Sequence, residues 1–373
     1  MKLPRLAAKT ASVALLVLAV GCSSSGGDGT KTDAQYKTEV TTGLQTSVAK
    51  DIDVMIAAAT ELQNAAPTPA GRGWDAVQDK AAIDALRAAW AKVRAPYERI
   101  EGAVAPLFPD LDVSMDQRYD GFLEEEIADG KGDANLFDDQ GVTGMHAIER
   151  ILWSNVIPAS VVDSEKTLEK NGVNLYVEAS FPKTEADAKS FKEKLCAKLV
   201  TDTKTLKEQW AVAGKLDIGY AFRGLQGLMG EQAEKVKNAA ASREESRYSQ
   251  RTMADLRENL AGTMAVYGVF RPYILSRTST DPEKDGKTID GKIQAGFDKL
   301  KAAYAAVQGD AIPAPPATWK AEDGLKQSDA DLKTPFGQLF VTISNAVDEE
   351  APGSVGDEMG HAADALGFPK LSQ

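Results

Sequence analysis

Residues 141–153 read GVTGMHAIERILW, and this stretch places two ionisable side chains inside an apolar helical pattern. Its apolar residues recur at three- and four-residue intervals and cover a broad arc of a helical wheel. Glu149 falls inside that arc and His146 lies at its edge, one turn apart on the same face. A buried carboxylate is costly unless it is paired, hydrogen-bonded or bound to a metal ion. The pair is therefore a candidate metal site, and the alternative is a Glu149–arginine ion pair beside a core histidine.

Helical spacing of apolar residues continues on both sides of this stretch and dominates the chain. Alternating strand patterns and hairpin dipeptides are almost absent. The sequence therefore predicts an all-α protein built of antiparallel helical bundles over residues 34–373. The Pro/Gly-rich region 272–286 is the predicted boundary between the bundles. Helices are predicted over 36–62, 83–104, 113–127, 184–213, 218–240 and 243–278, and one that starts at Asp138 or Asp139 should contain GMHAIERILW.

Composition limits the classes of partner. The chain has 373 residues, of which 43% are hydrophobic, and a formal charge of −12. This apolar content is sufficient for a packed core. A negative surface repels phosphate backbones, so no nucleic-acid partner is expected, whereas the same charge suits the capture of cations.

The N-terminus has the pattern of a bacterial lipoprotein signal peptide. A charged start precedes an apolar run, Ala11 to Val20, that is too short for a typical membrane span. Residues 1–22 are predicted to be the signal, with Cys22 as the lipidated residue, and the Ser/Gly-rich segment 23–33 as a flexible linker. The alternative is an ordinary secretory signal with an incidental cysteine. Cys196, at an apolar helical position, is expected to be a buried thiol.

A second helix also carries acidic residues at helical spacing. Glu98 and Glu101 are three apart in RAPYERIEGAV, and Asp112 and Asp116 follow after a proline-containing turn. Helical bundles hold metal ions with inward carboxylates and histidines of this kind. The alternative is an ion pair between Arg94, on the same face, and one of the two glutamates.

Three blocks in order carry a resemblance to a known family. YERIEGAVAPLFPDLDVSMDQR, VTGMHAIERILW and EESRYSQRTMADLRENLAG span roughly residues 90 to 262. They resemble the imelysin-like family, and within it the short EfeO/EfeM-type periplasmic iron-uptake lipoproteins without a cupredoxin domain. The resemblance implies two helical bundles packed side by side. It also implies a metal cluster formed by His146, Glu149, Glu98, Glu101, Asp116 and Glu245, with Asp112 as a further candidate.

Two positions within the third block qualify this ligand set. Ser242–Glu245 also matches a capping box for the predicted 243–278 helix, so Glu245 is equally a capping residue. The family often has a histidine after R-Y-S, where this chain has Gln250, so a ligand role at that position is lost.

The resemblance implies a binding protein rather than an enzyme. Its cargo would be iron, as Fe²⁺ or Fe³⁺, or another divalent cation, and its partners a membrane iron permease and a haem peroxidase. The protein would lie in the periplasm or at the cell surface, anchored to the bilayer through Cys22. Alternatives are recognition of an acidic polysaccharide or another surface ligand, and a structural lipoprotein whose site is vestigial.

Peptidase activity, as which the family has also been classed, is not expected. Arg150 stands where an H-x-x-E-H zinc signature needs a second histidine. The other histidine, His361, lies three residues after Glu358. A surface ion pair is the favoured interpretation there, and a second metal or partner site is the alternative.

Overall fold

The computed structural model describes residues 31–126, 135–170, 173–174 and 176–370. Within them the chain forms fourteen α-helices, which confirms the all-α prediction. Their bounds are α1 Asp33–Ala65, α2 Lys80–Val104, α3 Pro109–Asp116, α4 Tyr119–Glu126, α5 Gly144–Leu152, α6 Ala159–Lys166, α7 Glu185–Ser190, α8 Cys196–Trp210, α9 Ile218–Ala239, α10 Thr252–Leu275, α11 Gly286–Ala306, α12 Asp329–Leu332, α13 Pro335–Val347 and α14 Val355–Ala365.

Shorter elements connect these helices. A π-helical turn, Phe191–Leu195, joins α7 to α8, and 3₁₀ turns occupy Ala213–Lys215 and Ala321–Asp323. A small antiparallel pair follows α6, in which β1 (Glu169–Lys170) pairs with β2 (Val173–Asn174).

The helices form two neighbouring packing groups. In the first, α1 packs on α2 and α8, and α5 packs on α2. In the second, α13 and α14 pack on each other and on both α9 and α11. α10 packs on α1, α2 and α11, and α2 also packs on α9, so α2, α9 and α10 form the seam. The candidate ligands of α2, Glu98 and Glu101, therefore lie on a helix of this seam.

The apolar pattern of the sequence accounts for this packing. In α1, the buried residues Val40, Leu44, Val48 and Ile52 recur every fourth position and face the core. At the seam, a Cβ on Gly224 of α9 would lie 2.0 Å from the carbonyl oxygen of Gly102 in α2. Glycine at this position lets the two helices approach closely, and any side chain there would force them apart.

Three helix boundaries differ from the predictions. The predicted helix over 113–127 is two helices, α3 and α4, because the backbone at Gln117 is extended. The predicted start at Asp138 or Asp139 is wrong, since α5 begins at Gly144 after an extended Thr143. The predicted 243–278 helix begins only at Thr252. Ser242 adopts a positive φ of 56°, so the capping box is not formed.

Several sequence predictions concern parts of the chain that the structure does not describe. The signal peptide, Cys22 and most of the linker lie outside the described residues. Among the described helices, none combines the length and the apolarity needed to cross a bilayer. Residues 33–373 group into one unit, and α10 packs on α11 across the turn near 272–286, so a bundle boundary there stays a prediction. Cys196 is a buried free thiol, as expected, and burial raises its pKa.

Candidate metal centre

The N-terminus of α5 lies directly against the end of α3, and this contact sets the position of His146. Gly144, the first residue of α5, has a positive φ of 80°. A Cβ there would lie 2.2 Å from the carbonyl oxygen of Met115. Glycine satisfies both the backbone conformation and the close approach. Gly144 of the VTGMHAIERILW block thus places His146 beside Asp116, the last residue of α3.

The two nitrogens of the His146 imidazole face different partners. Nδ1 lies 3.0 Å from Oε2 of Glu149, whose other oxygen accepts a hydrogen bond from the backbone N–H of Ser249 at 2.8 Å. Nε2 lies 3.0 Å from Oε1 of Glu245 and 3.4 Å from Oδ1 of Asp116. Glu149 therefore fixes the ring, and Nε2 is the nitrogen that points into the acidic cluster. This arrangement is typical of metal-binding histidines, in which a second carboxylate orients the ring.

Glu245 reaches the imidazole from a turn rather than from a helix. Residues 243–251 form turns before α10, and Gln250 has a positive φ of 57°. The same turns bring the backbone N–H of Ser249 to Glu149. Donor atoms of Asp116, His146 and Glu245 all lie within 4.8 Å of one another, a spacing that can accommodate one ion.

Two basic side chains share this cluster with the carboxylates. Arg94 in α2 is 2% exposed; it forms ion pairs with Glu98 and Asp116, and its Nη2 lies 2.9 Å from Oε1 of Glu245. Lys235 in α9 lies 3.3 Å from Glu101 and 3.7 Å from Glu245. Asp255 in α10 is 3.7 Å from Nε of Arg94. A guanidinium and an ammonium thus offset part of the negative charge of the carboxylates.

The other predicted ligands have different surroundings. Glu98 is fully buried beside Arg94, as the ion-pair alternative proposed. Glu101 accepts hydrogen bonds from Asn259 at 2.9 Å and Lys235 at 3.3 Å. Asp112 accepts a hydrogen bond from the hydroxyl of Tyr97. The three carboxylates line the same acidic cluster, but Asp116, His146 and Glu245 are the residues whose donor atoms converge.

Burial and charge shift the proton affinities of these three groups. Burial and the Arg94 charge oppose protonation of His146, but nearby carboxylates outweigh both and raise the pKa of the imidazole to about 9. Burial raises the pKa of Asp116 to about 7, although Arg94 and His146 oppose the rise. Glu245 is also buried, yet Lys235 and His146 hold its pKa well below the usual value. At neutral pH the site therefore contains an imidazolium beside an ionised Glu245.

Comparison with known proteins identifies the family. The model of the family described as Peptidase_M75, Imelysin, matches residues 32–337. The chain belongs to the imelysin family. The matched range contains the three blocks that carry the resemblance and every residue of the candidate metal centre described above.

Individual relatives of this imelysin-family protein agree with that assignment. The chain is 28% identical over 243 residues to the iron uptake system component EfeO of Yersinia pseudotuberculosis serotype I (strain IP32953). The alignment covers 62% of this chain and 50% of the relative. The chain thus spans about half the length of the curated relatives it matches. The EfeO-type resemblance is confirmed at the level of the family.

Solved structures share the fold at low identity. A Parabacteroides distasonis ATCC 8503 protein, provisionally assigned as an iron-regulated protein A precursor, aligns with a TM-score of 0.56 at 16% identity and covers 92% of this chain and 97% of its own. An imelysin-like protein from Psychrobacter arcticum 273-4 aligns with a TM-score of 0.53 at 12% identity and covers 92% and 99%. At these identities the likeness concerns the fold alone.

Sequence reasoning missed two charged residues of the centre, Lys235 and Asp255. Lys235 lies within a stretch of alternating charges, EQAEKVK, that resembles a solvated helix face. It is nevertheless 5% exposed, because it continues a stripe with Leu228 and Gln232 that faces the seam. Asp255 belongs to a buried polar stripe of α10 with Thr252 and Asn259. A helical wheel of the whole of α9 and α10 could have revealed both positions.

Proposed function

We propose that this imelysin-family protein binds iron as cargo at Asp116, His146 and Glu245, and delivers it to a membrane permease. The observation that carries the proposal is the orientation of His146. Glu149 holds Nδ1, so that Nε2 faces two carboxylates, from α3 and from the turn before α10. One imidazole with several carboxylates is a donor set that suits iron or manganese, with another divalent cation as an alternative.

The charges around Glu245 support a cargo role. Protonated His146 and Arg94 both lie next to Oε1 of Glu245, at 3.0 Å and 2.9 Å. An arriving cation would replace the proton on His146 and compete with Arg94 for the carboxylates. Such a site releases its ion again when His146 regains its proton and Arg94 pairs again with the carboxylates. Three protein ligands also leave coordination positions for water or for a receiving protein.

The wider role that we propose comes from the EfeO relatives, which are described as iron uptake system components. The chain would act outside the inner membrane, in the periplasm or at the cell surface, anchored through Cys22. Its partners would be a membrane iron permease and a haem peroxidase of the same uptake system.

We also propose that the protein is not a peptidase, although the family model carries that word. Arg150 stands at the position where the zinc signature has its second histidine. Its side chain forms a buried ion pair with Glu165, with Nη2 at 2.9 Å from Oε2. Gln250, at the position where the family often has a histidine, uses its amide nitrogen to donate to Glu244 and to the carbonyl of Arg247.

Anaerobic equilibrium dialysis with Fe²⁺ tests the proposal. The untagged protein should bind iron tightly, and His146→Ala should remove the tight site without loss of helical signal in circular dichroism. The matched control is His361→Ala, which replaces the only other histidine of the chain. It should retain tight binding at the centre. Unchanged tight binding in His146→Ala would refute the proposal.

A further inference from the structure

A second group of ionisable side chains lies on α14, outside the residues that the family model matches. Asp357, Glu358 and His361 present donor atoms within 4.8 Å of one another. Nδ1 of His361 lies 3.6 Å from Oε2 of Glu358, and Nε2 lies 3.7 Å from Oδ1 of Asp357. From this arrangement we infer that Asp357, Glu358 and His361 form a second binding site for a divalent metal ion.

The distance of 3.6 Å between Nδ1 of His361 and Oε2 of Glu358 is close to that of two ligands around one ion and longer than a hydrogen bond. A hydrogen bond to an imidazole nitrogen has a donor–acceptor separation of about 2.7–3.2 Å, so neither carboxylate is bonded to the ring. Two ligand atoms that bind one ion at about 2.0–2.2 Å lie about 3–3.5 Å apart. An imidazole binds one ion through one nitrogen, so Nδ1 of His361 and Oε2 of Glu358 would flank the ion. A rotation of the Asp357 side chain would bring its carboxylate to them, because one donor atom of each residue lies within 4.8 Å of the others.

The second observation concerns the buried carboxylate of Glu358. Its side chain is fully buried, and Oε1 pairs with Lys292 of α11, which holds the group in place. Oε2 makes no hydrogen bond and faces Nδ1 of His361, which makes none either. Burial of an unsatisfied carboxylate oxygen and an unsatisfied ring nitrogen side by side is costly, and a shared cation would satisfy both.

The N-terminal turn of α14 orients the remaining proposed ligand, Asp357. Ser354 caps the helix, and Oδ2 of Asp357 accepts a hydrogen bond from the backbone N–H of Gly353 at 2.8 Å. Oδ1 of Asp357 is left for the ion. Glu283, at 4.0 Å from Nε2 of His361, adds negative charge at the exposed side.

Access to the site is provided by an adjoining cavity of about 520 Å³, lined in part by Asp357 and His361. His361 is 25% exposed, whereas Glu358 lies behind it. An ion could therefore enter from the cavity and keep water molecules on that side. One imidazole and two carboxylates favour Zn²⁺, Fe²⁺ or Mn²⁺ over Ca²⁺ or Mg²⁺, which prefer oxygen ligands alone.

Imidazole NMR can test this site separately from the centre at His146. The chain has two histidines, so ¹⁵N-labelled, untagged His146→Ala protein contains one imidazole, that of His361. Titration with Zn²⁺ should shift the ligating ring nitrogen of His361 and saturate at one equivalent. Glu358→Gln in the same background should weaken binding at least tenfold, while Glu349→Gln, which changes an exposed carboxylate of the same cavity, should leave it unchanged.

Two results would overturn the inference. One is a His361 spectrum that responds to pH but not to stoichiometric Zn²⁺, which would make the group a surface ion pair. The other is Zn²⁺ binding to His146→Ala protein that persists unchanged after His361→Ala. The second variant alters a partly exposed residue, so it keeps the test decisive if Glu358→Gln fails to fold. The inference does not rest on iron transport, because the NMR experiment observes His361 in protein that lacks His146.

Discussion

His146 and Glu245 are 99 positions apart in the chain, yet Nε2 of the first lies 3.0 Å from Oε1 of the second. The close packing of Gly144 on Met115 places one partner, and the turns of residues 243–251 place the other. The contact joins the end of one helix to a turn that precedes another. It makes Glu245 a direct ligand in our account rather than a helix cap.

Glu245→Gln should therefore weaken Fe²⁺ binding by at least tenfold, because it removes an anionic ligand while keeping the shape of the side chain. The neighbouring Glu244→Gln is the matched control. Glu244 is equally buried, at 7% exposure, but its Oε1 accepts a hydrogen bond from Gln250. Isothermal titration calorimetry under anaerobic conditions measures both. Equal losses in the two variants would show that Glu245 acts only through general charge or folding.

Glu149 should act by positioning His146 rather than by binding the ion. Both of its oxygens are already used, by Nδ1 of His146 and by the backbone N–H of Ser249. Loss of such an orienting carboxylate typically lowers metal affinity about 10- to 100-fold. Glu149→Gln should fall in that range and keep the Co²⁺ absorption spectrum of the unaltered protein. A changed Co²⁺ spectrum would instead make Glu149 a ligand.

Metal binding should release protons, because the pKa of His146 is raised to about 9 and that of Asp116 to about 7. Below pH 9 the imidazole is protonated and must lose its proton to bind metal at Nε2. Below pH 7 Asp116 adds a second proton. Affinity should thus fall about tenfold per pH unit between 9 and 7, and more steeply below 7.

Calorimetry in two buffers of different ionisation enthalpy measures this release directly. At pH 8 it should give about one proton per ion bound. The His146→Ala variant provides the control, since it lacks the imidazole from which that proton would come. A proton count of zero at pH 8 in the unaltered protein would contradict the assignment of Nε2 as a ligand.

Arg94 should behave as a counter-cation that stabilises the metal-free protein and competes with the ion. It pairs with Glu98, Asp116 and Glu245. Removal of one partner of a buried ion pair costs about 3–5 kcal/mol, so Arg94→Gln should lower the melting temperature of the metal-free protein markedly. Bound metal should restore more of that stability than it adds to the unaltered protein. Arg99→Gln, which alters a more exposed arginine of the same helix, is the control.

Differential scanning calorimetry with and without Mn²⁺ compares these variants. If Mn²⁺ does not raise the melting temperature of Arg94→Gln protein, the carboxylates do not bind metal even without their arginine partner. The cluster would then be a buried ion-pair network and not a metal site. The same measurement on Arg99→Gln should show a small loss and an ordinary gain from metal.

The helical fold and most of the centre could be predicted from the sequence, since the apolar periodicity and the ordered blocks are local signals. Residues such as Glu98, Asp116 and His146 lie in those blocks. The path of 242–251 could not be predicted, because Ser242 and Gln250 adopt positive φ angles that favour glycine, and a capping-box pattern suggested a helix there. The burial of Lys235 was also missed, since it depends on where α9 packs and not on its neighbours in sequence.

Anomalous diffraction at the iron absorption edge, from crystals loaded anaerobically with Fe²⁺, tests the central claim most directly. The account predicts a peak about 2.0–2.5 Å from Nε2 of His146 and from one carboxylate oxygen each of Asp116 and Glu245. It also predicts that Nδ1 of His146 stays on Glu149. Iron-saturated crystals without a peak at this position, in which Nε2 still contacts the two carboxylates, would contradict it.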